Sequence, residues 1–371
     1  MSTVLTPDWY RSPIHFEGRE RDAVFSKCWI FVGLTSELSN GQHLCSMVGS
    51  TAVVVQRDSS EKLRVFLNVC SHSQDKLCDP GLHRGPLRCP YHGWVYDRNG
   101  VPLGIPQKQA FPQVVAEPTR YRLTEFACDV VGQFVFVRLS AAGPCLRDYL
   151  GSQHDFLRKI SEGMTTGLDE FRSDVSANWK VLIENSLEGY HVPAVHSNTF
   201  MEIDGMDKAP SAPKFFFLDT LHSHLEHDAD AGWLQRFARV EAKIGAWPCR
   251  FEHYTHHFVF PNLTVTSFMG YSFHIQSFEP TAVDRTTVHS RTMGVELRDG
   301  SAVGRKMLEQ IYSDGHAFTR RVFEEDASIC SKVQAGIRNA VKPPVLGKEI
   351  EDRVAHFQSA YASYVSGHHG D

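Results

Sequence analysis

Residues 70–92 read CSHSQDKLCDPGLHRGPLRCPYH, and two short motifs stand out in them. Cys70-Ser-His72 is followed, sixteen residues later, by Cys89-Pro-Tyr-His92. Each motif supplies one thiolate and one imidazole. Structural zinc sites usually open with two cysteines two to four residues apart, so zinc is the weaker reading. One Cys and one His from each of two loops suit a [2Fe–2S] cluster with Cys70 and Cys89 on one iron and His72 and His92 on the other, a Rieske centre. Neutral imidazoles in place of two thiolates raise the reduction potential, into roughly −150 to +300 mV. Cys78 and His83 fall between the motifs and read as a small packed residue and a polar loop residue. Cys28, Cys45, Cys128, Cys145, Cys249 and Cys330 are scattered and read as core thiols. An odd total of nine cysteines fits a disulfide framework poorly.

A second set of donors begins in NWKVLIENSLEGYHVPAVHSNTF, residues 178–200. Asn178 is a good N-cap, and Trp179, Leu182, Ile183, Leu187 and Tyr190 recur at helical spacing. Glu184, Glu188 and His191 fall at i, i+4 and i+7. His191 and His196 are five apart and would diverge on an unbroken helix. Pro193 cannot continue the hydrogen-bond ladder, so a break there lets both imidazoles reach one ion. An iron that must bind O2 prefers two histidines and one carboxylate, leaving positions open. In HAFTRRVFEEDASICSKVQAGI, Asp326 shares a helical stripe with Val322, Ile329 and Val333. A carboxylate facing a core is costly unless paired or metal-bound. Asp326 is therefore the expected third ligand; Glu325 in its place, or an Asp326 satisfied by Arg320 or Arg321, are the alternatives. Two further histidine groups, HSHLEH (His222, His224, Glu226, His227) and HYTHH (His253, His256, His257), lack an accompanying ligand motif.

These residues need elements to hold them. Residues 1–40 read as helical turns leading to Trp29-Ile30-Phe31, a segment expected to pack on the catalytic domain. Residues 41–144 change to short β-branched runs such as HLCSMV, TAVVVQ and LRVFLNV, with GWVYDRNGVPLG as a hairpin turning at Asn99-Gly100. Ala141 to Pro144 reads as a linker. Residues 145–371 form a larger domain, with helix over 145–200, strands over 250–295, and helices over 302–337 and 349–365. The C-terminal GHHGD reads as a tail. The expected fold class is α+β: a small all-β domain, then a larger domain with a helix-flanked antiparallel sheet.

The 371 residues exceed what one core usually supports and suit two domains. A net charge of −5 argues against a nucleic-acid partner. No apolar run approaches the ~18–20 residues that span a bilayer, and the first residues lack a charged-then-apolar signal pattern. The expectation is a cytoplasmic protein with no membrane partner.

Both motifs together resemble the Rieske non-heme iron oxygenases, in their terminal oxygenase (alpha) component, over nearly the whole chain. The resemblance implies a helix-grip catalytic domain with mononuclear Fe(II) on His191, His196 and Asp326, and a [2Fe–2S] Rieske cluster on Cys70, His72, Cys89 and His92. It implies that Glu188, the acid before the first histidine, bridges the cluster of one subunit to the iron of its neighbour in a homotrimer. The segment ENSLEGYH looks closest to the oxygenases of carnitine, glycine betaine and related betaines; within it Asn185 is a second catalytic candidate. The family's first loop commonly reads C-x-H-R-G, whereas Ser73-Gln74 stand here, so this loop's backbone is expected to differ. The implied reaction is hydroxylation or oxidative demethylation of a small organic substrate with O2, a betaine or other N-methyl compound being the class the resemblance suggests, ring mono- or dioxygenation of an aromatic acid the alternative and a non-catalytic electron carrier a remote one. No Gly-rich dinucleotide motif or flavin signature is present, so a separate NAD(P)H-dependent reductase, with or without its own ferredoxin, is the expected partner. A quaternary ammonium substrate would suit an aromatic cage. Trp233, Phe237, Trp247, Tyr254, Phe260, Phe268, Tyr271 and Phe273 are available, though core packing is their commoner use.

Overall fold

A computed structural model describes residues 4–39, 41–200, 215–228, 231–245, 247–251, 253–296 and 301–367. Of the C-terminal GHHGD, residues 368–371 lie outside these. The chain divides into two units, Phe25–Tyr149 and Met1–Val24 with Leu150–Asp371.

The first unit is built on ten short strands: β1 (Ile30–Leu34), β2 (Gln42–Val48), β3 (Thr51–Arg57), β4 (Leu63–Leu67), β5 (Gly81–Arg84), β6 (Leu87–Arg88), β7 (Val95–Tyr96), β8 (Pro102–Gly104), β9 (Glu125–Val131) and β10 (Phe134–Arg138). Seven form a sheet in the order β1-β10-β9-β4-β3-β2-β5, and β6-β7-β8 form a small second sheet. The expected hairpin is present. Asp97 Oδ1 accepts the amides of Asn99 and Val101, both at 2.8 Å, and Gly100 turns with φ +74° against the Phe66 ring. A Cβ at Gly100 would stand 2.8 Å from that ring, so the position needs glycine for room as well as for its backbone.

Residues 25–40 belong to this unit, not to the catalytic one as expected. Ile30 pairs with Val137 and Phe31 with Phe136, so β1 is an edge strand held by a partner a hundred residues away. Local periodicity cannot show such a pairing. The 141–144 linker also folds back, with Pro144 O accepting from Trp29 Nε1 at 3.0 Å and from the Arg138 guanidinium. A second departure is covalent: Cys45 and Cys78, read as separate thiols, form a disulfide.

The second unit centres on β11 (Thr166–Val175), β12 (Phe215–Leu218), β13 (Ser223–Asp228), β14 (His253–Val259), β15 (Leu263–Phe268), β16 (Ser272–Ala282) and β17 (Arg285–Gly294). These form one antiparallel sheet, ordered β11-β17-β16-β15-β14-β13-β12. The strand β11 was expected to be helical. Its Asp169, Glu170, Arg172 and Asp174 are ordinary helix-surface residues in composition, and on this edge strand Glu170, Arg172 and Asp174 meet solvent while Asp169 pairs with Arg320. The helices in chain order are α1 (Asp8–Arg11), α2 (Pro112–Ala116, in the first unit), α3 (Leu146–Leu150), α4 (Ser152–Ile160), α5 (Trp179–Leu187), α6 (Val192–Val195), α7 (Ala231–Ile244), α8 (Ala302–Ile337) and α9 (Asp352–Val365). The 36 residues of α8 make a rod of about 54 Å. Phe323 meets Phe171 of β11 with ring centroids 5.1 Å apart, and Tyr312 Oη donates to the carbonyls of Tyr271 and Val295. Helix α9 packs Phe357 against Phe258 and Trp179. Helices thus grip the sheet, as the resemblance implied.

The start of the chain joins this unit through buried polar contacts. Lys180 pairs with Glu20, whose carboxylate also accepts from Trp179 Nε1 and Tyr361 Oη, both at 2.7 Å. Tyr10 Oη donates to Glu184 at 2.6 Å, and Gln358 donates to the same oxygen at 2.9 Å.

Candidate metal centres

Cys70 and Cys89 each open a turn of the same design. Cys70 N donates to Asp75 O at 2.8 Å and its carbonyl accepts from Gln74 N at 3.0 Å; Cys89 N donates to Trp94 O at 2.8 Å and its carbonyl accepts from Gly93 N at 3.1 Å. The fifth residue of each turn is left-handed, Gln74 at φ +60° and Gly93 at φ +74°. The absence of glycine after His72 has therefore not straightened the loop. Gln74 adopts the conformation that glycine takes freely.

The turns bring His72 and His92 to a ring separation of 4.7 Å, with Trp94 stacked on His72 at 4.9 Å and Phe111 edge-on at 5.3 Å. Cys70 and Cys89 are 1% exposed, while His92 and its neighbour Tyr91 are exposed. Burial pushes the Cys89 thiol up, so a thiolate there needs a metal to stabilise it. His72 Nδ1 is buried without a hydrogen-bond partner. Two thiols and two imidazoles carried on matched turns suit a two-iron cluster with one pair on each iron. Tyr96 Oη lies 3.1 Å from Cys70 Sγ and 2.9 Å from both Ser71 N and Ser71 Oγ. The sequence reading missed this hydroxyl, seven residues beyond Cys89.

In the second unit one donor atom each from His191, His196 and Asp326 lie within 4.8 Å of one another. Asp326 Oδ1 is 3.5 Å from His191 Nε2 and 3.1 Å from His196 Nε2, yet it is buried with no hydrogen bond. Three donors that face one another without bonding fit a cation between them. Arg320 and Arg321, the alternative partners of Asp326, are engaged elsewhere, with Asp169 and Asn198 O. Glu325 is not among the converging donors. Burial opposes charge on His191, but the carboxylates of Asp326 and Glu188 outweigh it and lift the imidazole to about 9. His196 is likewise raised, by Asp326 and Glu325 against its burial. The site favours positive charge.

Each imidazole is fixed from behind. His191 Nδ1 bonds Glu188, whose other oxygen accepts His191 N at 3.1 Å. His196 Nδ1 bonds Glu325 Oε2 at 2.7 Å, and Thr199 Oγ1 donates to the same oxygen at 2.7 Å. An ionised carboxylate only accepts, so both histidines carry a proton on Nδ1, and Nε2, on the Asp326 side, is the nitrogen that a cation would take. The sequence reading missed the role of Glu325; the signal was a second acid beside the ligand. Asn185 Nδ2 lies 3.5 Å from His191 Nε2.

Two expectations about the supporting helices need correction. Helix α5 stops at Leu187, and Glu188 is already extended, so Glu188, His191 and Tyr190 are not on its faces; Tyr190 is 70% exposed. On α8 the buried line runs through Phe323, Cys330 and Gln334, while Val333 is 46% exposed. The stripe drawn from apolar residues alone was one residue off, because Gln334 is buried to bond Asn178 N and Tyr10 O. HSHLEH and HYTHH fall on or beside the paired strands β13 and β14 and, among the described residues, supply none of the compact donor triads. Of the aromatic residues, Phe237, Trp247 and Tyr271 pack on one another, Phe260 packs on Phe357, and Phe273 is buried. The Trp233 side chain lies outside the described residues.

Comparisons with known proteins agree with this division. Residues 28–119 match the family described as Rieske [2Fe-2S] domain, and residues 164–367 match that described as ring hydroxylating alpha subunit (catalytic domain). The chain is 29% identical over 241 residues to the glycine betaine monooxygenase oxygenase subunit of Chromohalobacter salexigens, covering 63% of this chain and 53% of that one. It is 29% identical over 241 residues to the anthranilate 1,2-dioxygenase large subunit of Acinetobacter baylyi, covering 62% and 50%. It therefore spans about half the length of the curated relatives it matches. The solved structure of the quaternary ammonium Rieske monooxygenase CntA with L-carnitine superposes with a TM-score of 0.75 over 97% of this chain and 95% of that one, at 19% identity. The cofactors of these two domains are a Rieske [2Fe–2S] cluster and a mononuclear iron.

Proposed function

Because the chain belongs to the ring-hydroxylating alpha-subunit family and carries that family's Rieske domain, we propose that it is the terminal oxygenase of a multicomponent system, acting on a small N-methyl compound of the betaine type. The single observation that carries the oxygenase reading is the convergence of His191, His196 and Asp326, with each imidazole held at Nδ1 by its own carboxylate. Two imidazoles and one carboxylate leave part of an iron's coordination sphere for O2 and substrate. The bound iron supplies O2 activation, and the cluster supplies electrons one at a time.

The chain's own residues do the positioning. Cys70, Cys89, His72 and His92 hold the cluster, with Trp94 and Phe111 against His72. His92 and Tyr91 are exposed, which suits a path for electrons into or out of this unit. Glu188 and Glu325 fix the two iron-binding imidazoles. Glu188 also serves as the bridge to a neighbouring subunit's cluster in a homotrimer, and Asn185 stands beside the His191 nitrogen that faces Asp326. Electrons come from NAD(P)H through a separate reductase, with or without a ferredoxin. The betaine-type substrate rests on the glycine betaine, choline and carnitine monooxygenases among the relatives.

A single-turnover assay tests this. The iron-loaded protein is reduced, then given O2 with a panel of betaines, methylamines and aromatic acids, and formaldehyde is measured. Formaldehyde tied to an N-methyl substrate supports demethylation. A hydroxylated aromatic acid without formaldehyde replaces it with ring hydroxylation; an anthranilate 1,2-dioxygenase large subunit is among the relatives.

A further inference from the structure

His43 and Cys45 are two residues apart on β2, so both side chains leave the same face of the strand. Cys78 reaches them from the segment following the first cluster loop, 33 residues along the chain, and closes the disulfide with Cys45. A ring nitrogen of His43 and the two sulfurs lie within 4.8 Å of one another. His43 is 5% exposed, and burial favours its neutral form. A backbone hydrogen bond with Gly85 anchors the ring. Metal-binding imidazoles are commonly anchored in this way, through a backbone carbonyl on the second nitrogen. His83 stacks on the ring at 5.4 Å and limits its motion.

The place of this group in the fold gives it a consequence. Asn68, two residues before Cys70, accepts the amides of Leu77 and Cys78 at 3.0 and 3.1 Å and donates to Cys78 O at 2.8 Å. Whatever holds Cys78 to β2 therefore holds the end of the cluster loop.

We propose that Cys45, Cys78 and His43 form a third metal site, opened when the Cys45–Cys78 bond is reduced, which takes a zinc-class divalent cation. A dithiol supplies the two electrons and two protons and itself closes to a disulfide. The S–S bond becomes two thiols, and the cation displaces their protons to bind two thiolates and an imidazole. Two sulfurs and one nitrogen are the donors of tetrahedral zinc, with water in the fourth position. The disulfide and the metal are alternative clasps on the same loop.

The test uses the iron-loaded full chain, before and after treatment with dithiothreitol and its removal. Both samples are equilibrated with zinc against a chromogenic chelator, and zinc, iron and sulfide are counted together. The expected result is one further zinc per chain in the reduced protein only, with iron and sulfide unchanged. His43→Gln, which keeps the disulfide and both thiols, should weaken this uptake at least tenfold while keeping the visible spectrum of the cluster, and Cys78→Ser should weaken it at least as much. Peptide-resolved alkylation gives a second reading that needs no variant: zinc should protect Cys45 and Cys78 in the reduced protein. The proposal is overturned if zinc enters only as iron leaves, if the unreduced protein takes as much, or if Cys45 and Cys78 alkylate equally with and without zinc.

Discussion

Glu325 accepts the Nδ1 proton of His196 at 2.7 Å, one residue before Asp326, whose carboxylate faces the Nε2 of the same ring at 3.1 Å. Adjacent acids on α8 thus divide two tasks, one orienting the imidazole and one completing the donor set. Replacing Glu325 with Ala should leave the ligands in place but free the ring. Iron affinity at this site should fall about 10–100-fold, read as iron retained against a competing chelator. Thr199→Ala, which keeps Glu325 and removes a donor to it, should cost less. Unchanged retention in the Glu325 variant would show that the ring is fixed by other means.

Asp326→Ala should remove the mononuclear iron and spare the cluster. The iron-to-sulfide ratio should drop to that of the cluster alone, with the visible spectrum intact and turnover lost. A variant that keeps the full iron content would sink the ligand assignment.

Tyr96 Oη lies 3.1 Å from Cys70 Sγ. Once that sulfur binds iron it has no proton, so the tyrosine must be the donor. A donor at a cluster sulfur stabilises the more negative, reduced state. Tyr96→Phe should lower the reduction potential measured by spectroscopic titration. A potential equal to the parent's would mean the hydroxyl serves only Ser71.

The matched turns allow a paired experiment. Gln74→Gly relieves a left-handed backbone and should stabilise the protein by up to about 1 kcal/mol. Gly93→Ala imposes the same strain where the added Cβ has room, its nearest neighbour being Pro106 at 3.7 Å. It should destabilise by about 1 kcal/mol. Denaturant melts of both variants check the opposed signs; two effects of the same sign would refute the shared geometry.

Burial pushes the Glu184 carboxyl up to about 7. Its folded value exceeds the unfolded one, so the folded state binds the proton more tightly. Stability from this group is full below about 4.5, the ordinary value, and is lost as pH rises through 7. Glu184→Gln should therefore gain on the parent across this window and hold a constant advantage above it. Melting temperatures of both proteins from pH 5 to 8 test this; parallel curves would place the Glu184 titration elsewhere.

The sequence alone determined the short donor motifs of both centres, because within each motif the donors lie a few residues apart and a single turn holds them. Cys70 with His72 and Cys89 with His92 each sit in one turn, and a proline separates His191 from His196. Asp326 was legible as the third donor, although the stripe that pointed to it was drawn one residue from the buried line that Cys330 and Gln334 follow. The two-part α+β plan was legible too, since strand and helix periodicities are local. Only the tertiary structure decided the rest. Glu325, Tyr96 and the Cys45–Cys78 bond act through contacts between distant segments, and β1 and β11 exist by pairing with strands more than a hundred residues away. Spacing along the chain reports which residues turn together. Which distant residues meet is set by the packing of whole elements, and no local pattern encodes it.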